Sequence, residues 1–192
     1  MHGVRESLLQ AQAASVGLPL FSVPLPQPCS NAIYEQRMGQ ALKKIRLQGI
    51  SGIAFGDLFL EEVRAYRERQ LAASGFRSFF PLWGLDTPEL AWEMIGQGLR
   101  AILTCVDPRF CPKEMVGRDF NAQFLEDLSA EVDPCGENGE FHTFAYGGPC
   151  FSRPIFLERG RIVERDGFVF HDLLPGPEVG GAPIKGVEVK DS

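Results

Sequence analysis

The feature that most constrains the fold is a regular alternation of helical and extended segments along the first half of the sequence. Four segments with helical spacing of apolar residues are each followed by a short apolar run, and these runs are residues 20–25, 50–55, 78–82 and 101–106. The runs are continuously apolar, which is typical of parallel strands that helices cover on both faces. The sequence therefore predicts an α/β fold with a parallel sheet sandwiched by helices.

Glycines and capping residues mark the ends of the predicted helices. The first three helices are predicted over residues 4–16, 34–45 and 60–71, and the glycines that end them are Gly17, Gly49 and Gly75. Asp86 can cap a fourth helix, with Glu89 three residues later in the position of a capping box.

The composition changes after Asp107, where proline, glycine and charged residues become frequent. One short helix is predicted over residues 121–128, and three strands are predicted at residues 141–146, 154–157 and 168–173. Glycines separate these strands, which favours antiparallel hairpins. The sequence therefore divides into an α/β part over residues 1–107, a small antiparallel α+β subdomain over residues 108–174 and a disordered tail over residues 175–192.

Composition excludes several classes of protein. The 192 residues are 44% hydrophobic, and the net charge of -6 comes without a basic cluster that could follow a phosphate backbone. No apolar run approaches the roughly 20 residues needed to cross a bilayer. Five cysteines without a CxxC pair and three histidines without ligand spacing indicate reduced thiols, no disulfide framework and no zinc site. We therefore expect a cytoplasmic protein whose partners include neither nucleic acid nor a membrane.

In an open parallel sheet, ligands bind beyond the carboxyl ends of the strands. Four segments follow the predicted strands, namely Ser30-Asn31, Gly56-Asp57, Trp83-Gly84 and Val106-Asp107. Gly56 permits close backbone approach, and Asp57 offers a carboxylate to a metal ion, a ribose hydroxyl or an amine. Taken alone, Ser30 and Asn31 are more often a helix cap, and Asp57 could brace a loop. Trp83 is more often a core or lid aromatic than a stacking platform.

The densest polar stretch lies at residues 133–143, just before the antiparallel strands. It contains two carboxylates three residues apart, an amide, a hydroxyl, an imidazole and two glycines, namely Glu137, Glu140, Asn138, Thr143, His142, Gly136 and Gly139. A solvated connecting loop is the structural alternative. Against it, the stretch carries more chemistry than a connector needs, and it could hold an amine substrate or a magnesium ion and position a nucleophile.

Five stretches of the sequence, in this order and spacing, resemble the diphthine-ammonia ligase family. They are His2-Gly3-Val4-Arg5, Cys29-Ser30-Asn31, Phe55-Gly56-Asp57, Pro81-Leu82-Trp83-Gly84 and Cys135 to Thr143. The string GENGEFHT at residues 136–143 is the most specific of them. The resemblance extends to about Pro175 and is closest to the bacterial branch of the family.

The resemblance implies a Rossmann-like domain of the PP-loop ATPase type, within the adenine nucleotide alpha hydrolase class. Such an enzyme cleaves ATP to AMP and pyrophosphate to activate a carboxylate as an acyl adenylate, and ammonia then displaces AMP to give an amide. ATP and Mg²⁺ are the implied cofactors. The implied partners are a small-molecule or protein-borne carboxylate and ammonia.

The resemblance, together with the crevice rule, assigns roles to individual residues. The expected catalytic residues are Glu137 and Glu140. The expected substrate-binding residues are Ser30, Asn31, Gly136, Asn138, Gly139, His142 and Thr143. The expected nucleotide-binding residues are His2, Gly3, Gly56 and Asp57, and no metal ligand is assigned.

The sequence departs from the family at its start. Family members begin with a strand and a Ser-Gly-Gly-Lys-Asp-Ser loop around the ATP phosphates, whereas this sequence starts roughly one βαβ unit later. Met1 is accordingly either an internal methionine or the start of a truncated chain. We expect weak ATP binding by this chain alone, and an exposed sheet edge that favours self-association, with a homodimer as one outcome.

Three functions remain open at this point. The first is an ATP-dependent amide ligase whose full chain or partner chain supplies the phosphate loop. The second is a non-catalytic module that keeps the substrate pocket. The third is an unrelated amidase or hydrolase that uses Cys29 or Cys135 with a histidine, although the sequence places no base beside either cysteine.

Overall fold

The computed structural model describes residues 3–26 and 28–177, which form a mixed α/β arrangement. In chain order the elements are α1 (Glu6–Val16), α2 (Asn31–Leu47), β1 (Gly52–Ala54), α3 (Glu61–Ala72), β2 (Arg77–Phe79), α4 (Thr87–Gly96), β3 (Arg100–Val106), a 3-10 turn (Lys113–Met115), α5 (Ala122–Asp127), β4 (Phe141–Gly147), β5 (Leu157–Arg165) and β6 (Phe168–Pro175).

The helices lie close to their predicted positions. Gly17 ends α1 with a left-handed φ of 75°, and the Asp86 carboxylate caps α4 by accepting a hydrogen bond from the Glu89 N–H at 2.9 Å. The sequence predicts both the glycine that ends α1 and the aspartate that caps α4. Within the described ranges, none of the helices has the length and apolar character required to span a bilayer.

The strands form two sheets. β1 and β2 pair in parallel, with Ile53 opposite Ser78, and the other four strands form an antiparallel sheet in the order β4-β3-β6-β5. The β5–β6 hairpin turns at Asp166 and Gly167, whose positive φ values of 54° and 82° suit the twist of a tight hairpin. The predicted parallel pairing of the second and third runs and the antiparallel character of the later strands are confirmed.

The predicted first strand at residues 20–25 is wrong. The segment has no regular secondary structure, and its Leu20 and Phe21 are 46% and 44% exposed. Pro24 and Pro26 lack the N–H that a sheet ladder needs, so the apolar run does not become a strand.

The prediction that residues 101–106 belong to a parallel sheet is also wrong. β3 pairs with β4 and β6, and both pairings are antiparallel. Its continuous apolar run has a different cause, because the strand is central and both of its faces are buried. The division at residue 107 stays a prediction, although β3 before it and β4 after it share a sheet. Residues 178–192 of the predicted tail lie outside the described residues.

The predicted strand at residues 154–157 is displaced along the chain. β5 begins at Leu157, and its register against β6 shifts between Arg159 and Ile162, around Gly160. β5 is an edge strand with mostly exposed, charged residues, so it lacks the apolar signal of the other strands.

Two apolar clusters lie on opposite faces of β3. Ala101, Leu103 and Val106 belong to a cluster with residues of α4, α5 and the loop between β3 and α5. Ile102 belongs to the other cluster, where it joins Leu8 of α1, Phe144 of β4 and Leu173 of β6. The antiparallel sheet is therefore covered by α4 and α5 on one side and by α1 on the other.

Docking of α1 against this sheet can be tested at two adjacent leucines. Leu8 is fully buried, whereas Leu9 is 39% exposed. We expect Leu8→Ala to lower the free energy of unfolding by about 2–5 kcal/mol and Leu9→Ala by less than about 1 kcal/mol, because only Leu8 leaves a core cavity. Urea unfolding of both variants measures the difference. Equal effects would contradict the packing of α1.

Candidate functional site

The loop at residues 133–140 is shaped by two glycines with positive φ. Gly136 and Gly139 have φ values of 69° and 86°. The N–H of Gly136 bonds to the Asp133 carbonyl, and the N–H of Gly139 bonds to the Gly136 carbonyl. A Cβ on Gly136 would lie 2.8 Å from the Phe141 carbonyl oxygen, so position 136 requires glycine. The loop is thus a pair of consecutive turns that leads into β4.

Glu140 closes this loop from inside. Its side chain belongs to a residue that is 3% exposed, and Oε1 accepts hydrogen bonds from the Asp133 N–H at 3.1 Å and from Asn138 Nδ2 at 2.9 Å. Its other oxygen, Oε2, is buried without a hydrogen-bond partner. A buried carboxylate oxygen without a donor is costly and rare, so this atom is the most unusual polar group of the loop.

Glu137 joins the loop to the carboxyl end of β1. Its Oε1 accepts a hydrogen bond from the Leu58 N–H at 2.8 Å, and the Leu58 carbonyl in turn accepts one from the Gly84 N–H at 2.8 Å. The Asp107 N–H donates to the Glu140 carbonyl at 2.8 Å. The segments that follow β1 and β3 therefore contact the 133–140 loop, although these strands lie in different sheets, and the segment after β2 contacts the one after β1.

The carboxylate of Asp57 is already engaged. Arg67 donates to both of its oxygens, from Nε at 2.5 Å and from Nη2 at 3.1 Å, and the Arg67 guanidinium lies over the Phe55 ring at 4.5 Å. Asp57 thus braces the loop after β1, which is the alternative role that its sequence position allows. Gly56 beside it is exposed, with open space where a Cβ would lie.

Trp83 is likewise held by a neighbour. The Arg64 guanidinium lies 4.6 Å from the Trp83 ring and 4.9 Å from the Phe80 ring, and Phe80 stacks on Phe55 at 5.5 Å. An arginine over the aromatic face contributes a cation–π interaction. The tryptophan is therefore part of a cluster that stiffens the loops after β1 and β2.

Other predicted site residues lie elsewhere in the described structure. Ser30 is the N-cap of α2, accepting from the Ile33 N–H at 3.4 Å, and Asn31 is the exposed first residue of that helix. Gly3 packs against Phe170, and His2 lies outside the described residues.

His142 and Thr143 continue from the loop into β4. His142 is half-buried opposite Cys105, and its carbonyl accepts a hydrogen bond from the Thr104 hydroxyl at 3.2 Å. Thr143 is exposed and lines a pocket of about 290 Å³ together with Gly3. Gly3, expected at the nucleotide, thus lies beside a residue expected at the substrate.

Asp107 was not assigned to the site, although its segment was. It is 3% exposed, and its carboxylate accepts hydrogen bonds from the backbone N–H and guanidinium of Arg109. These bonds hold the pKa of the Asp107 carboxyl below its usual range, against the opposing effect of burial. Asp107 follows directly after an apolar predicted strand, and this position is the sequence signal that could have identified it as a site residue.

The depressed pKa of Asp107 predicts a pH-dependent contribution to stability. Ionised Asp107 stabilises the fold fully above its unfolded pKa of about 3.9, and this contribution is lost as pH falls through the lower folded pKa. We therefore expect Asp107→Asn to lower the free energy of unfolding at pH 7 and to lower it progressively less below about pH 4. Urea unfolding across this range measures the difference. Glu114→Gln, at an exposed position on the 3-10 turn, is the control, and a pH-independent difference for Asp107→Asn would contradict the ion pair.

The buried Cys111 and the half-buried Cys135 are poor nucleophiles. Burial raises the pKa of Cys111 to about 11 and that of Cys135 to about 12, and nearby carboxylates add to both shifts. The Cys135 thiol donates to the Thr87 carbonyl at 3.4 Å. These features argue against a hydrolase that uses Cys135.

Alkylation of the folded protein by iodoacetamide tests this difference among the thiols. We expect the exposed Cys29 and Cys150 to react first and the other three cysteines, Cys105, Cys111 and Cys135, to react only on unfolding, because they are shielded and carry raised pKa values. Peptide mass spectrometry locates the label. Early labelling of Cys135 would restore the thiol hypothesis.

No group of three or more histidine, cysteine or acidic side chains within residues 3–26 and 28–177 is arranged to hold a metal ion. Asp57, the carboxylate nearest the predicted nucleotide crevice, is occupied by Arg67. Within the described residues, no cluster of three or more protein ligands for a metal ion is therefore present.

Comparison with known proteins gives a consistent result. A family model described as the diphthamide synthase C-terminal domain matches residues 86–170. A diphthine–ammonia ligase of Danio rerio is 30% identical over 166 residues, which cover 79% of this chain and 65% of the relative. The corresponding ligase of Schizosaccharomyces pombe is 28% identical over 120 residues, covering 60% of this chain and 20% of the relative. That of Homo sapiens is 25% identical over 119 residues, covering 59% and 45%. In each case the matched region spans less than two thirds of the relative.

Proposed function

Because this chain belongs to the diphthine–ammonia ligase family, we propose that it forms the substrate side of an ATP-dependent amide ligase. The reaction converts a carboxylate and ammonia to an amide, with ATP cleaved to AMP and pyrophosphate. The observation that carries the proposal is the hydrogen bond from the Leu58 N–H to Glu137, which holds the 133–140 loop against the segment after β1. A nucleotide at Gly56 and a substrate at the loop would then lie side by side.

Glu137 acts by position in this proposal. Its Oε1 is committed to Leu58, and its own N–H is committed to the Asp133 carboxylate at 2.7 Å. Because both its side chain and its backbone N–H are hydrogen-bonded, Glu137 keeps the loop at a set distance from the segment after β1. Such positioning matters because small displacements of reacting groups cost large factors in rate.

Glu140 is the proposed catalytic residue. One of its oxygens is fixed by Asp133 and Asn138, so the other oxygen is held at a defined place without a partner. An ammonium ion offers N–H donors to that oxygen. Transfer of one proton from ammonium to the carboxylate releases neutral ammonia, whose lone pair can attack the activated carboxylate. Burial of Glu140 also limits access of water, which would compete with ammonia for the activated carboxylate.

The open space at Gly56 is the only structural feature that we assign to nucleotide binding. An exposed glycine at the carboxyl end of a parallel strand lets a ligand approach the backbone closely, which fits a nucleotide. Bound ATP would supply the leaving group that a carboxylate lacks. Mg²⁺ has no assigned ligand among the described residues, since they contain no cluster of three or more metal-binding side chains. We further propose that β1 and β2 belong to a Rossmann-like domain, and the free state of all five cysteines supports a cytoplasmic location.

The second candidate function is a binding module without catalysis. The engagement of Asp57 by Arg67 favours it, because this pair leaves the crevice after β1 without a free carboxylate. Calorimetric titration of the complete gene product with 5′-O-(N-acetylsulfamoyl)adenosine, a stable mimic of an acyl adenylate, separates the two functions. Binding supports the ligase, and no binding supports the module.

Substitution of the two glutamates tests their separate roles. We expect Glu140→Gln to lower amide formation by at least about 100-fold, because glutamine cannot accept the proton. Glu137→Gln keeps an acceptor for the Leu58 N–H and should lower it by no more than about tenfold. The readout is AMP release from ATP by the complete gene product with ammonium chloride and a diphthine-bearing peptide.

Glu131→Gln is the matched control, since Glu131 precedes the loop and is exposed. It should leave both AMP release and the melting temperature unchanged. Undiminished activity in Glu140→Gln would refute the proton-acceptor role. Loss of activity together with a large fall in melting temperature would instead show that Glu140 only braces the loop.

A further inference from the structure

A second polar pocket lies at the opposite end of β3 from Glu140. Arg100 begins β3 opposite Gly147 at the end of β4, and both residues are a strand length away from Asp107 and Glu140. Seven strand residues correspond to roughly 20 Å. The pocket has a volume of about 290 Å³, and its polar walls come from Arg100, Asp119, Tyr146 and Arg159.

Asp119 organises one wall of this pocket. Its Oδ1 accepts a hydrogen bond from the Tyr146 hydroxyl at 3.2 Å, and its Oδ2 accepts one from Arg159 Nη2 at 3.1 Å. Arg159 also donates from Nη1 to the Gly117 carbonyl at 2.8 Å. The negative charge of Asp119 is thereby balanced by Arg159, and both side chains are fixed.

Arg100 carries a positive charge that no carboxylate balances. Its guanidinium lies over the Tyr146 ring at 5.6 Å, and among the described residues it has no carboxylate within ion-pair distance. The ring orients the guanidinium without neutralising it. The pocket therefore has one spare guanidinium beside one neutral ion pair.

The rest of the lining is apolar. Residues 154–157 form a continuous apolar wall, and Phe156 is 49% exposed at the mouth of the pocket. The Ile155 N–H donates to the Tyr146 carbonyl at 2.7 Å, which holds this wall beside β4. A ligand that enters thus meets a cation at one end and apolar side chains along its body.

We propose that this pocket binds a monocarboxylate with an apolar body. The guanidinium of Arg100 matches a carboxylate with two parallel hydrogen bonds, while Ile155, Phe156 and the Tyr146 ring contact the body. A phosphate dianion fits less well, because one spare guanidinium leaves its second charge facing Asp119. The site is separate from the 133–140 loop and its occupancy does not rest on the ligase activity.

Phenylacetate is a suitable probe for this pocket. Phenylacetamide is the uncharged control compound, and phenyl phosphate is the dianionic control compound. In a ¹⁵N NMR titration of this chain, we expect phenylacetate to shift the amide signals of Tyr146, Ile155 and Phe156 and to bind more tightly than either control compound. Arg100→Gln should weaken binding by at least about tenfold. Arg100→Lys keeps the charge but loses the two parallel hydrogen bonds, so it should bind less tightly than the parent and more tightly than Arg100→Gln.

Arg161→Gln is the matched control, because Arg161 is an exposed arginine of β5 two residues from Arg159. It should bind phenylacetate as the parent does. The proposal is overturned by equal binding of phenylacetamide, by tighter binding of phenyl phosphate, by unchanged affinity in Arg100→Gln, or by shifts centred outside the pocket. Since no nucleotide or ammonium is present, failure here leaves the ligase proposal untouched.

Discussion

Burial of β3 on both faces is the constraint on which the rest of the structure depends. Its side chains alternate between two apolar clusters, one shared with α4 and α5 and the other with α1 and β6. A strand in this position fixes the layers around it, since each cluster needs a helical cover to exclude water. It also fixes two distant chemical regions, because Asp107 lies just beyond one end and Arg100 lies at the other.

The 133–140 loop illustrates how buried polar groups are accommodated near such a core. Glu137 accepts the N–H of Leu58, 79 positions away in the sequence, and Glu140 accepts the N–H of Asp133 within the loop itself. Among the buried side-chain oxygens of the described residues, only Glu140 Oε2 has no hydrogen-bond partner. Natural proteins leave few such atoms, and those that remain often mark places where a ligand completes the bonding.

Much of this architecture follows from local signals in the sequence, and the remainder depends on contacts that local signals do not encode. Gly17 and Asp86 end and begin helices as predicted, because caps act within one turn. The partners of β3 were not predictable, since an apolar strand buried on both faces reads the same in parallel and antiparallel sheets. The polar density of residues 133–143 pointed to the loop, whereas the bond between Glu137 and Leu58 joins positions 79 apart and has no pattern in the sequence.

The edge strand β5 has a consequence for how copies of this chain meet one another. Among the described strands it pairs only with β6, its exposed side chains are mostly arginines and glutamates, and its ladder with β6 is irregular around Gly160. Dense charge and a broken ladder deter a second strand from adding to that edge. The longest free edge of the antiparallel sheet is thus protected against edge-to-edge polymerisation. A contact between two copies would therefore have to form through side-chain surfaces, whose contact area is limited.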